Sequence, residues 1–225
     1  MGKVISCGAV CHDQSSHQSH PDPQVLLNDP DGGSSILFDG SGASILGFCR
    51  CCHDANGQGG NLSPFTSGRI AADIDAWWSK NPSHARSPVG VTCWSCHAGT
   101  TKGPHGSDNP WILKLAYKTA DNTSESAQAY ALCYSCHSRD SILGNASFKE
   151  HSKHIVGEKA PCSTCHDAHG SRIHSGNLSG THLINFRTDI VHANSSNDLY
   201  FRDDGGFKGA CSLTCHGKGH TNKSY

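Results

Sequence analysis

Methionine is all but missing from this chain: Met1 is the only one in 225 residues. Its scarcity removes the thioether side chain from any metal centre the protein builds. No apolar run approaches the about 18 residues of a membrane-spanning helix, so no span is expected. Basic residues are neither in excess nor clustered. Eighteen Lys and Arg are scattered against 19 Asp and Glu, which leaves no stripe for a nucleic-acid backbone. Apolar residues make up 35% and aromatics 7%, below ordinary globular usage. A peptide core alone would struggle to offset the entropy of ordering this chain. No Ser/His/Asp set, phosphate loop or pair of carboxylates stands out as a reaction centre.

Cysteine and histidine, in contrast, are plentiful, at 13 and 17. Twelve of the cysteines fall into six close pairs, and a histidine follows each pair at once. Four copies have the spacing C-x-x-C-H: Cys49/Cys52/His53, Cys93/Cys96/His97, Cys133/Cys136/His137 and Cys162/Cys165/His166. Two are stretched to C-x-x-x-C-H: Cys7/Cys11/His12 and Cys211/Cys215/His216. At this histidine content, six trailing histidines by chance have a probability on the order of 10⁻⁷. Zinc requires two pairs, or a pair and a distant histidine pair, converging on one tetrahedral centre. Disulfides give no reason for the trailing histidine either. The chemistry that uses all three residues together is covalent haem attachment. Both thiols add to the porphyrin vinyl groups, and the adjacent imidazole reaches the iron from one face. The expected cofactors are therefore six c-type haems, with His12, His53, His97, His137, His166 and His216 as proximal ligands. Cys51, inside Cys-Arg-Cys-Cys-His, is left over and reads as a bystander thiol; an intermolecular disulfide is the alternative.

Six covalent porphyrins would supply the apolar surface that the composition lacks. The chain without haem is accordingly expected to be largely unfolded. The formal charge of −1 would fall to about −7 with six ferric bis-His haems, and to about −13 on full reduction, through their propionates. Covalent attachment takes place outside the cytoplasm. The opening Met1–Cys7 leaves no room for an apolar signal stretch, so either the numbering starts after an export signal or sequence lies upstream.

Proximal histidines spaced 29 to 50 residues apart leave little room for regular structure. The expected fold is mostly irregular, with a few short α-helices and small β-hairpins wrapped around a chain of six covalently bound haems. One domain over 1–225 is expected, with a soft boundary near 60–68; residues 1–60 carry two haems and 69–225 carry four. An amphipathic helix is expected over 69–80, and Asn109-Pro110 reads as a cap and first-turn proline. A helix over 124–136 would run into the fourth motif, and Ser147 to Glu150 reads as a capping box before a helix bearing His151 and His154. Residues 35–38 and 44–48 read as a hairpin around Asp39-Gly-Ser-Gly42, with 182–186 and 199–201 as a second.

The motif fills one axial position of each iron. With methionine absent, the opposite ligand is expected to be histidine. Eleven histidines lie outside the motifs, at 17, 20, 84, 105, 151, 154, 169, 174, 182, 192 and 220, and six are needed. His151 and His154 share a helix face, and each can serve a different haem. His169 and His220 follow motifs too closely to reach round to their own iron, so each suits a neighbouring one. His105 and His182 sit at rigid or strand-like places. These six are the distal candidates, with His17, His20 and His84 as alternates. His174 and His192 read as solvated loop residues, and Trp77, Trp78 and Trp111 as haem-packing aromatics.

The pieces Asn109–Lys114, Tyr130–His137, Ser147–Ile155, Cys-Ser-Thr-Cys-His-Asp-Ala-His-Gly at 162–170, His182–Phe186 and Cys-Ser-Leu-Thr-Cys-His-Gly-Lys at 211–218 resemble multihaem c-type cytochromes of metal-reducing bacteria. The likeness covers about the last 120 residues. The first 90 share only the attachment motifs. The resemblance implies close-packed bis-His haems, a periplasmic or cell-surface location, and respiratory electrons carried outward. Some relatives polymerise into extracellular filaments in which one subunit's histidine completes a neighbour's haem. Partners implied are other redox proteins, extracellular acceptors, a porin–cytochrome assembly or further copies of the chain.

The function expected is electron transfer along a low-potential haem row, with no enzymatic side chain. The alternative is a multihaem reductase acting on nitrite or sulfur oxyanions, which would need one iron with an open position.

Overall fold

The computed structural model describes residues 25–27, 36–39, 41–50, 78, 83–97, 107–171 and 181–225. These form an irregular chain with short helical turns and two small antiparallel sheets. Strand β1 (Val25–Leu27) pairs with β2 (Ile36–Phe38), and helix α1 (Gly42–Arg50) follows. Residues 44–48 thus lie in a helix instead of a hairpin strand. Ser44 decides this locally: its hydroxyl donates to Asp39 Oδ1 at 2.6 Å, and its N–H donates to Ser41 Oγ at 3.2 Å. Those bonds supply partners for the first turn of the helix.

The motif turns α2 (Cys93–Cys96), α3 (Ala131–Tyr134) and α5 (Cys162–Cys165) are each a single turn. Between the last two lies α4 (Arg139–Leu143), started by Ser138 Oγ, which accepts from the Ser141 N–H at 3.2 Å. The expected helix over 124–136 is confined to α3, because residues 120–130 fold as turns pinned by Thr123 and Ser126 hydroxyls. A π-helical turn, Lys153–Gly157, carries His154, with His151 just before it. Pro110 opens a 3₁₀ turn, Pro110–Ile112, at its first position. Of the helix expected over 69–80, only Trp78 is described, and it is helical.

The C-terminal sheet is built on β5 (Lys208–Cys215), which pairs with β3 (Val191–His192), β4 (Tyr200–Gly205) and β6 (Lys218–Ser224). The strand partner of 199–201 is therefore β5, not 182–186. Two-residue turns close both hairpins, with positive φ at Gly206 and Phe207 and at His216 and Gly217. Turns of that hand match the twist of paired strands. Val191 lies opposite Cys215 and Phe201 opposite Cys211. With Phe186, Ile190 and Leu213 they form a buried apolar cluster, which Cys165, Cys211 and Cys215 flank. A second, smaller cluster gathers Ala129, Tyr130 and Ile155 beside Cys162. No described helix is long and apolar enough to cross a membrane.

Candidate haem-binding sites

In three motifs one backbone bond sets the geometry. His97 N–H donates to the Cys93 carbonyl, His137 to Cys133 and His166 to Cys162, each at 2.9 Å. Residues three and four apart on one helical turn share a face. Both thiols and the imidazole therefore project together, the arrangement a doubly tethered porphyrin requires.

The third and fifth motifs are braced identically. His97 Nδ1 donates to the Trp111 carbonyl, and His166 Nδ1 to that of His182, both at 2.8 Å. Trp111 and Ile112, like His182 and Leu183, take left-handed backbone angles of φ 56–58° that turn those carbonyls inward. His97 then pairs antiparallel with Leu113, and His166 with Ile184. Lys114 N–H reaches the Cys96 carbonyl at 2.9 Å and Asn185 N–H that of Cys165 at 2.8 Å. A carbonyl can only accept, so Nδ1 holds the proton and Nε2 is left as a bare lone pair for a metal.

Four pairs of histidine rings face one another, three of them with a motif histidine as one member. Ring centroids are 6.2 Å apart for His84–His137, 6.0 Å for His97–His169, 6.4 Å for His151–His166 and 6.4 Å for His154–His220. A metal held at about 2.0 Å by two opposed imidazole nitrogens places ring centroids about 6.3 Å apart. Tilted aromatic pairs also pack at such distances. Ordinary packing, however, gives no reason for both members to be histidine four times over. His84 and His154 also donate through Nδ1, to the carbonyls of Ala168 at 2.7 Å and Glu150 at 2.8 Å. Trp78, itself buried, covers His169.

Burial pushes His97, His137, His166 and His220 below the usual imidazole range, and His151 down to about 4. These rings are neutral near pH 7, the form that ligates. No hydrogen-bond partner reaches the buried His151 Nδ1 among the described residues.

The thiols relate successive motifs to one another. Cys49, on α1, hydrogen-bonds Cys93, which this contact lowers to about 7. Cys133 hydrogen-bonds Cys162, and that contact and burial raise Cys133. Burial raises Cys96, which lies within electrostatic reach of Cys133 and Cys136. Burial pushes Cys165 up to about 12, and Cys211 and Cys215 lie within its electrostatic reach. Every one of these links joins neighbours in chain order. Among the described residues no group of three or more His, Cys, Asp or Glu forms a compact metal cluster.

The sixth motif is different. Cys211 and Cys215 lie on one face of β5, about 13 Å apart at strand rise. His216 occupies the hairpin turn at φ 49°, and its Nε2 lies 2.9–3.0 Å from the Asp121 carboxylate. As folded here, that motif does not fit a doubly tethered haem; motifs three to five do.

Of the remaining candidates, His182 serves through its carbonyl, while its Nε2 lies 3.2 Å from Asp203. The Trp111 ring is 60% exposed and likewise contributes its carbonyl. Residues Cys7, Cys11, His12, Cys51, Cys52, His53, Trp77 and His105, with His17, His20 and His174, lie outside the described residues. Sequence reasoning ranked His84 as an alternate, yet it faces His137; its spacing of nine residues before Cys93, close to the eight between His154 and Cys162, carried the signal. The Trp111 and His182 carbonyls and Asp121 left no trace in residue type.

Residues 84–142 match the family model described as the doubled CXXCH motif. CXXCH is the attachment sequence of covalently bound c-type haem. Compared with curated proteins and with solved structures, the chain gives no match. The matched segment spans His84, the third and fourth motifs and the opposed pair His84–His137.

Proposed function

We propose that this exported protein is a hexahaem electron carrier whose irons are each held between two histidines. The observation that carries the reading is the set of opposed imidazole pairs, three of which join a motif histidine to one outside any motif. On this reading His84 completes the fourth site, His169 the third and His151 the fifth. A haem bound there supplies a one-electron iron couple.

The chain's own residues do the rest. The single-turn motifs fix thiols and imidazole on one face. The Trp111 and His182 carbonyls hold the Nδ1 protons, which orients the rings and raises the donor strength of Nε2. Two histidine ligands and no methionine favour a low potential. His151 and His166 are half-buried, which limits the access of water to the fifth site. Cys49 contacts Cys93 and Cys133 contacts Cys162, while Cys96 lies within electrostatic reach of Cys133 and Cys165 of Cys211, which supports successive sites near enough for electrons to pass between them. A carrier of this kind fits respiratory electron export across the periplasm or at the cell surface, to redox proteins, to external acceptors or along a filament of its own copies.

Low-temperature EPR with near-infrared magnetic circular dichroism tests this. The expected result is low-spin ferric iron with bis-imidazole ligation throughout, and no binding of cyanide or nitric oxide to the resting protein. A stoichiometric open iron that takes up either molecule would favour the reductase reading instead.

A further inference from the structure

The short stretch from His166 to His169 reaches three of the central sites at once. His166 is the motif histidine of the fifth. The Ala168 carbonyl accepts from Nδ1 of His84, which faces His137 of the fourth. His169 faces His97 of the third, with the two rings 6.0 Å apart and only 14° from parallel. Backbone bonds pin the stretch in place. The Asp167 N–H donates to the Leu183 carbonyl at 3.0 Å, and the Asp167 carbonyl accepts from the Gly170 N–H at 3.2 Å.

The carboxylate in this stretch, Asp167, has no part in the ligand pairs, yet its side chain is only 8% exposed. A charge so covered is costly unless its surroundings use it. Its Oδ2 accepts from the Asn185 amide at 3.2 Å, and its Oδ1 accepts from the His169 N–H at 3.1 Å. The same Oδ1 stands 3.4 Å from Nδ1 of the His169 ring. With Nδ1 turned to the carboxylate, Nε2 is the nitrogen left for the iron. Behind His84 of the fourth site the corresponding partner is a neutral carbonyl. Neighbouring sites thus share a ligand type and differ in the charge behind it.

We infer that Asp167 is a positioning residue of the third site, where it orients the His169 ring through Nδ1 and its negative charge lowers the potential of that site. A ligand histidine backed by a carboxylate is a stronger donor than one backed by a neutral group. A negative charge in a poorly solvated place also favours ferric over ferrous iron. Trp78, buried against the His169 ring, keeps the surroundings apolar. The consequence is a step in potential between the third and fourth sites, in a row otherwise alike in its ligands.

This assignment rests on the bis-histidine reading above, and the haem-loaded protein tests the two separately. His169→Met marks the third-site step in a potentiometric titration, because a methionine ligand raises it; His151→Met marks the fifth. Asp167→Asn keeps an oxygen for the His169 N–H, and the Asn185 amide can turn to match it, so the charge alone is lost. This variant is expected to raise the third-site step, and to raise it further than the fifth, with every bis-imidazole signal in the near-infrared dichroism retained. Should it fail to accumulate, Asp167→Ser takes its place, because a serine hydroxyl also accepts from a backbone N–H two residues on. A third-site step that stays where it was, a fifth-site step that moves further, or a lost bis-imidazole signal overturns the assignment. A wild-type protein without bis-imidazole iron, or a His169→Met protein in which no step moves, overturns the functional reading instead.

Discussion

Two regions of this protein carry the same chemical motif in different backbone. Between residues 93 and 166 the motifs are single helical turns, closed by the histidine N–H on the first cysteine carbonyl. Between residues 208 and 224 the stretched motif lies in a strand and a tight turn. One added residue makes the difference: it moves the histidine off the i to i−4 bond that closes the shorter motif. The regions differ in their cores as well. The C-terminal sheet buries Phe186, Ile190, Val191, Phe201 and Leu213 against one another. Among the described residues the central cluster gathers the smaller set Ala129, Tyr130 and Ile155. The sheet therefore has a peptide core of its own, while the centre is expected to depend on what its thiols and imidazoles hold.

The sharpest way to break that contrast is to remove a central haem. Cys162→Ser/Cys165→Ser should lose one haem mass of about 616 Da and the cooperative unfolding of the central region, read by mass spectrometry and circular dichroism. Retention of the full melt would show that the centre does not depend on its haem. Next in size is Phe201→Ala, expected to cost about 3 kcal/mol in denaturant unfolding of the sheet while leaving the third and fourth haem signals intact. His84→Met should leave stability within about 1 kcal/mol but raise one redox step in a potentiometric titration.

The smallest effect lies at Glu125, whose nearly covered carboxylate takes two hydrogen bonds from Arg139, at 2.6 and 2.9 Å, and one from the Tyr134 hydroxyl at 3.1 Å. The Arg139 bonds hold it below its ordinary value of 4.5. The folded form thus binds this proton less readily than the unfolded chain. The stability it contributes is full above pH 4.5 and declines as pH falls below that value. Glu125→Gln should cost about 1 kcal/mol at pH 7 and flatten the decline, as acid titration of the unfolding midpoint will show.

Much of the site was legible in the sequence because covalent attachment needs three residues at fixed spacing, and spacing survives without a fold. The irregular fold with short helices and small sheets followed from the same density of motifs. Long-range facing was not legible: His84 and His137 are 53 residues apart, and nothing in residue type pairs them. Strand and helix were confused at 44–48, where the apolar pattern suits both and Ser41, Ser44 and Asp39 decide for the helix. The carbonyls of Trp111 and His182 escaped notice because a backbone acceptor looks alike at every residue.

The claim beneath all of this is that the thiols of the six motifs are bonded to porphyrin. Intact-mass measurement of the exported protein tests it most directly. A mass about 3.7 kDa above that of the polypeptide, six increments of about 616 Da, is the predicted result. A mass equal to the bare chain would contradict the account.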